Sequence, residues 1–121
     1  MTKAKWKKEI LAQMKDLGIY RESYEGAIKS LAEILEQRDK TAAYYRKSGA
    51  NPVVEYTNKN GSTNLVKNPA LTLWDELNKS ALAYWRELGL TPTSYKKMAG
   101  ASGAPERRSA LADALASLDG G

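Results

Sequence analysis

The chain of 121 residues contains no cysteine, no histidine and no phenylalanine. Without cysteine there is no disulfide framework and no thiol nucleophile. Without histidine the commonest general base and the commonest metal ligand are missing. These absences count against an enzyme, so we expect no catalytic residue, no metal site and no cofactor. Leucine, isoleucine, tyrosine and tryptophan must form the hydrophobic core.

Long apolar runs are also missing. No run approaches the ~18 residues that a membrane-spanning helix requires. The first eight residues are basic, and the hydrophobic segment of a signal peptide does not follow them. We therefore expect a soluble, cytoplasmic protein without a membrane partner. A chain of this length is typical of one compact domain with short tails.

Positive charge is concentrated near the start of the chain. The net charge is +5, and residues 1–8 contain four lysines and no acidic residue. Clustered basic side chains are suited to phosphate contacts, although ordinary solvated lysines are the alternative interpretation. No helix is rich in Arg, Asn and Gln suited to reading base edges, so the pattern does not indicate sequence-specific recognition. The candidates for DNA binding are Lys3, Lys5, Lys7, Lys8, Lys15, Arg21 and Lys29.

Two helices are predicted before the first proline. The first runs from about Thr2 to Leu17, with Thr2 as its cap and Gly18 as its stop. The second runs from near Arg21 to about Lys47 and has the strongest pattern in the chain. Its heptad seam consists of Tyr24, Ile28, Leu31, Leu35, Arg38, Ala42 and Tyr45.

The heptad seam predicts packing against another helix. An antiparallel partner within the chain explains the main seam. Contacts between subunits are a second possibility, because further apolar residues flank the seam. The oligomerisation candidates are Tyr24, Ala27, Ile28, Leu31, Ile34 and Leu35.

Turn signals define the elements that follow. Two β-prone runs on either side of Asn60-Gly61 predict a β-hairpin over about residues 53–66. Asn68-Pro69 starts a third helix that ends near Leu88, and Thr91-Pro92 starts a short helix through about Met98. The predicted fold is mainly α: an antiparallel long-helix hairpin with an N-terminal helix, one inserted β-hairpin and short C-terminal helices.

The predicted core spans residues 1–98, and residues 99–121 form a flexible linker and a C-terminal tail. The tail contains Arg107, Arg108, Leu111, Leu115 and Leu118, spaced as one side of a short amphipathic helix. Such a segment is suited to docking in the groove of a partner. An idle tail, or one that packs on its own subunit assembly, is the alternative.

Two motifs that bracket the third helix resemble a known family. They are Lys67-Asn68-Pro69-Ala70-Leu71 and Glu87-Leu88-Gly89-Leu90-Thr91-Pro92-Thr93-Ser94, and they follow a helix–loop–long-helix segment and a hairpin. Together they resemble the phage terminase small subunits associated with cohesive-end packaging, over about residues 5–98. That family often has a basic residue at the position of Tyr95.

The resemblance implies a ring of identical subunits that binds double-stranded viral DNA. It also implies that the ring recruits and regulates the large terminase subunit, which holds the ATPase and the nuclease, and that the tail docks there. Such a protein acts in the host cell cytoplasm and is not expected in the mature virion. Two other functions stay open on the residues alone: a helix-rich DNA-binding regulator without a motor partner, and a phage structural connector.

Overall fold

The computed structural model describes residues 1–102. Its helices are α1 (Lys3–Asp16), α2 (Glu25–Lys47), α3 (Pro69–Glu87) and α4 (Pro92–Ser102), with one 3-10 turn over Glu22–Tyr24. Strands β1 (Val53–Thr57) and β2 (Thr63–Lys67) form an antiparallel hairpin between α2 and α3. The predicted fold class is therefore confirmed.

Helix α2 lies at the centre of the fold, with α1 and α3 packed against it. Ile28, Leu31 and Leu35 of the predicted seam have no exposed surface, and they pack in one core with Ala81 and Leu88. The seam therefore serves the packing of α2 within its own chain. Helix α2 begins at Glu25 rather than near Arg21, because the preceding residues form a tighter 3-10 turn, as is common at helix starts.

Asn68 connects the β-hairpin to the start of α3. Its Oδ1 accepts a hydrogen bond of 3.0 Å from the backbone N–H of Ala70, which caps the helix. Its Nδ2 donates to the carbonyl oxygen of Asn51 at 2.9 Å, and its backbone N–H donates to that of Pro52 at 2.8 Å. The side chain is buried, and these partners satisfy its amide.

Helices α3 and α4 meet at Gly89, whose φ of +77° is in the left-handed region. This conformation ends α3 where the sequence predicts. Tyr95 of α4 is buried in the core. Helix α4 continues to Ser102, four residues beyond the predicted end at Met98, and so includes Ala99 and Ala101, which favour a helix, as well as Gly100, which does not. The remainder of the predicted linker and the whole tail lie outside the described residues.

The β-hairpin projects from the helices. The register pairs Glu55 with Leu65 and Val53 with Lys67, and neither strand packs extensively on a helix. Val53, Tyr56 and Leu65 are exposed as a result.

Candidate nucleic-acid interface

Two of the predicted DNA-binding lysines face α2 and are paired with its carboxylates. The Nζ of Lys3 lies 2.6 Å from Oε1 of Glu33, and the Nζ of Lys7 lies 3.3 Å from Oε2 of Glu25. Lys3 and Lys7 are one helical turn apart, so both project from the side of α1 that packs on α2. Their charges are compensated within the chain, and they fasten α1 to α2.

Three other lysines lie on the outward side of α1. Lys5, Lys8 and Lys15, which we call the outer lysine row, are spaced three and seven residues apart and are exposed. Within residues 1–102 no carboxylate oxygen lies within 4.0 Å of the Nζ of Lys5 or Lys8. The Nζ of Lys15 lies 5.2 Å from the centroid of the Tyr20 ring. The row is an exposed basic surface of the kind that contacts phosphates.

The last two DNA-binding candidates lie outside α1. Arg21 is exposed in the connection between α1 and α2. Lys29 is exposed on α2, where its charge adds to that of Lys3 in lowering the pKa of Glu33. The structure thus brings Lys5, Lys8 and Lys15 together and leaves Arg21 and Lys29 on separate elements.

A tyrosine–glutamate pair spans the connection between α1 and α2. The Tyr20 hydroxyl donates a hydrogen bond of 2.7 Å to Oε1 of Glu25. This bond, together with Lys7, lowers the pKa of the Glu25 carboxyl below its usual value. The same bond raises the pKa of Tyr20. Sequence reasoning missed this pair, because the two residues lie in different predicted elements.

A cluster of polar and aromatic side chains joins α1, α2 and α3. Asp39 accepts hydrogen bonds from Nε1 of Trp6 at 2.7 Å and from the amino group of Met1 at 3.0 Å. Burial alone would raise the pKa of Asp39, but these two hydrogen bonds outweigh it and the pKa is lowered. The neighbouring Arg38 has its Cζ 5.8 Å from the ring centroids of both Trp6 and Trp74.

Arg38 also donates from Nη1 to Oδ1 of Asn78 on α3 at 3.0 Å. Its Nε is buried without a hydrogen-bond partner among the described residues. The heptad pattern placed Arg38 on the seam, but nothing in the pattern identified the two tryptophans as its neighbours.

The oligomerisation candidates fall into two groups. Ile28, Leu31 and Leu35 are fully buried in their own chain and have no surface to offer a second subunit. Tyr24, Ala27 and Ile34 are half-buried at the edge of the core. Only this second group retains accessible surface.

The exposed aromatic residues differ in part from expectation. The sequence favours a core position for Tyr44, Tyr45, Tyr84, Trp85 and Tyr95 over stacking on bases. That interpretation is confirmed for Tyr95, and Tyr84 and Trp85 pack against the core. It is wrong for Tyr44, which is 67% exposed near the end of α2.

Residues 1–102 contain neither a cluster of metal-ligating side chains nor a membrane-spanning helix. In that part of the chain no group of three or more acidic side chains is placed to hold a metal ion. None of the described helices has the length and apolar character needed to cross a bilayer.

Comparison with known proteins identifies the family. A family model described as "phage terminase, small subunit" matches residues 2–105, and thus both motifs around α3. No curated protein and no solved structure matches the chain. The chain therefore belongs to the phage terminase small subunit family, which has a role in phage DNA packaging.

Proposed function

We propose that the chain binds double-stranded viral DNA through the outer lysine row, assembles into a ring, and recruits and regulates the large terminase subunit during genome packaging. Family membership supports the packaging role. The observation that carries the DNA contact is the exposed position of Lys5 and Lys8, whose charges no described carboxylate compensates.

Assembly into a ring multiplies this basic surface. Each subunit has a net charge of +5. Because the subunits of a ring are identical, the outer lysine row is repeated once per copy around the common axis. Phosphate contacts that are weak singly then act together, and binding releases condensed counterions. The half-buried Tyr24, Ala27 and Ile34 supply apolar surface for contacts between subunits.

The packaging chemistry belongs to the large subunit in this proposal. The small subunit regulates the ATPase and the nuclease without a catalytic residue or cofactor of its own. It acts in the host cell cytoplasm, where packaging takes place, and does not remain in the mature virion.

DNA binding is tested by replacing the outer lysine row with glutamine. The triple variant Lys5→Gln, Lys8→Gln, Lys15→Gln should lose most of its affinity for duplex DNA at low salt. The slope of log K against log salt should become shallower by about 0.9 for each phosphate contact removed. Lys3 and Lys7 stay unchanged, because their substitution also removes ion pairs between α1 and α2.

The control carries the same change of charge elsewhere on the surface. Lys47→Gln, Lys59→Gln and Lys79→Gln together remove three exposed lysines from α2, the hairpin loop and α3. This control should bind DNA nearly as the parent chain does. Equal losses in both triple variants would mean that net charge, and not the outer lysine row, determines binding.

Recruitment of the large subunit is assigned to the tail, which lies outside the described residues. Replacing Leu111, Leu115 and Leu118 with aspartate should abolish stimulation of the large subunit's ATPase and leave assembly and DNA binding unchanged. Ser109→Asp, Ala112→Asp and Ala116→Asp together add the same charge at neighbouring positions and serve as the control. Full stimulation by the leucine variant would contradict the docking role.

A further inference from the structure

One face of the β-hairpin is exposed and carries two large apolar side chains that the core does not use, alongside charged residues and threonines. Val53, Glu55 and Leu65 lie on this face, since Glu55 pairs with Leu65 and residues two apart on a strand share a side. Val53 is 50% exposed and Leu65 is 71% exposed. A two-stranded hairpin alone is marginally stable in water, so a covering partner favours its folded form.

A groove of complementary character lies where α2 ends and α3 begins. It encloses about 430 Å³ and is lined by Lys40, Thr41, Tyr44, Asn68, Pro69, Ala70 and Leu73. Tyr44 and Leu73 are 67% and 47% exposed. The groove thus offers two large apolar side chains and the ammonium group of Lys40, whose Nζ lies 3.7 Å from Oε1 of Glu36 on its own helix. The hairpin face offers two apolar side chains and the carboxylate of Glu55, while the ammonium group of Lys67 on that face is paired with Asp75 of its own chain.

We propose that the hairpin face of one subunit packs into this groove of a second copy of the chain. Val53 and Leu65 cover Tyr44 and Leu73, and Glu55 pairs with Lys40 of the neighbouring copy. This inference rests on the proposed ring and assigns the contact that builds it.

The hairpin face is turned away from the groove of its own chain. Lys67 belongs to the same face, because it pairs with Val53, and its Nζ lies 3.2 Å from Oδ2 of Asp75 on α3. Asp75 and Leu73 are two residues apart, which places them about 200° apart around the helix. The root of the face therefore lies on the side of α3 opposite the groove, where a neighbouring copy can reach it.

The positions of hairpin and groove suit a rotational assembly. Asn68 lines the groove and also holds the root of the hairpin, so both lie at the same end of the α2–α3 pair. Copies related by rotation about an axis parallel to the long helices have all their grooves and hairpins at the same level along that axis. The groove of one copy can therefore meet the hairpin of the next copy. A contact between two different surface patches generates a closed ring when the rotation that relates adjacent copies is a whole-number fraction of 360°.

The half-buried candidates on α2 continue the same surface. Ala27, Ile34 and Thr41 are spaced by seven residues, so they follow one side of the helix with little drift. Thr41 lines the groove, and Ala27 and Ile34 extend its side of α2 toward the other end of the fold. A neighbour seated in the groove therefore meets these residues as well.

Two complementary variants test this contact. Leu65→Asp damages the hairpin face and keeps the groove, whereas Leu73→Asp damages the groove and keeps the hairpin face. Each variant alone should be monomeric by light scattering or native mass spectrometry. An equal mixture should form a 1:1 dimer and nothing larger, because only one working contact remains.

Matched controls place the same charge on adjacent exposed residues. Asn64→Asp lies on the opposite face of the hairpin, and Thr72→Asp lies away from the groove on α3. Both should assemble as the parent chain does. In a second experiment, Glu55→Lys and Lys40→Glu should each weaken assembly at least tenfold, and the double variant should restore it. Unchanged far-ultraviolet circular dichroism shows that each variant is folded.

These experiments distinguish a failure of the proposed ring from a failure of the proposed contact between hairpin and groove. If the parent chain is monomeric at all concentrations, the ring itself is refuted. A second outcome is that the parent chain and Leu73→Asp both assemble and Leu65→Asp does not. In that case the hairpins pair with one another, and the proposed groove contact is wrong. If Leu65→Asp assembles normally but loses affinity for DNA, the hairpin contacts DNA and the contact is again wrong.

Discussion

The indole Nε1 of Trp6 donates a hydrogen bond of 2.7 Å to Oδ2 of Asp39 and so joins α1 to α2. The adjacent Arg38 lies against both Trp6 of α1 and Trp74 of α3. Two consecutive residues of α2 thus connect the other two long helices. Helix α1 packs mainly on α2, so this cluster adds polar contacts to the core contacts of the buried Ile10 and Met14.

The variant Trp6→Phe should lower the free energy of unfolding by about 1.5–3 kcal/mol. It keeps an aromatic ring but leaves Asp39 without one of its hydrogen bonds, and bonds to charged groups are of this magnitude. Urea denaturation measures the change. Trp74→Phe is the control, because no hydrogen bond involves the Trp74 indole among the described residues. Equal losses would mean that ring size and not the hydrogen bond matters.

Leu35→Ala should destabilise the chain by about 2–5 kcal/mol, since its side chain is fully buried in the α2 core. Leu82→Ala, at a residue that is 43% exposed, should change stability by about 0.5 kcal/mol or less. Chemical denaturation of both variants gives the comparison. Similar values for the two would contradict the assignment of the heptad seam to the core of a single chain.

Stability should fall in acid because Glu25, Glu33 and Asp39 have lowered pKa values in the fold. A lowered pKa contributes stability above the unfolded value, which is 4.5 for glutamate and 3.8 for aspartate. That contribution is lost as the pH falls through the folded values. Urea midpoints measured from about pH 6 to pH 2 should show this decline.

A matched pair of variants tests the cause of the acid dependence. Lys3→Gln removes the main reason for the low pKa of Glu33 and should make the decline shallower. Lys59→Gln removes an exposed charge without a carboxylate partner among the described residues and should leave the decline unchanged.

The hydrogen bond between Tyr20 and Glu25 should make stability fall in alkali as well. Because its pKa is raised by the bond to Glu25, the associated stability is present below pH 10 and is lost as the pH rises through the folded value. Tyr20→Phe should remove this alkaline dependence and bring the pKa of Glu25 back toward 4.5. Phenolate absorbance and carboxyl NMR titration measure the two effects. An unchanged Glu25 titration would contradict the assigned hydrogen bond.

Two glycine-to-alanine changes should have opposite signs. Gly89→Ala forces a side chain into left-handed backbone, and its Cβ would meet Met98 and Ile19, so a loss of about 1–3 kcal/mol is expected. Gly26→Ala lies in the first turn of α2 with no atom within 4 Å of the added Cβ. It should gain about 0.5–1 kcal/mol, because alanine favours the helix. Thermal unfolding of both variants gives the signs.

Much of the fold could be predicted because its boundaries are set by local chemistry. Asn68-Pro69 begins α3 through a side-chain cap and a fixed φ, and Gly89 ends it through a left-handed conformation. The hairpin loop is equally local: the Asn58 side chain accepts hydrogen bonds from the backbone N–H groups of Asn60 and Ser62. Such signals act over a few residues, and they are visible in the sequence.

The sequence could not show in the same way which lysines of α1 pair with carboxylates of α2 and which form the outer lysine row. Lys3 and Glu33 are 30 residues apart, and their contact depends on how α1 lies along α2. A helical period shows which residues share a face, but it does not show which acidic residues the face meets. For the same reason the heptad seam could not show whether its partner was α3 or a neighbouring subunit.

The three hydrogen bonds of Asn68 couple the root of the hairpin to the first turn of α3. One amide caps the helix and holds the segment before β1, so opening that breaks its hydrogen bonds loosens both places together. Any partner that immobilises the hairpin therefore also slows amide hydrogen exchange at the beginning of α3, at a distance from the contact itself.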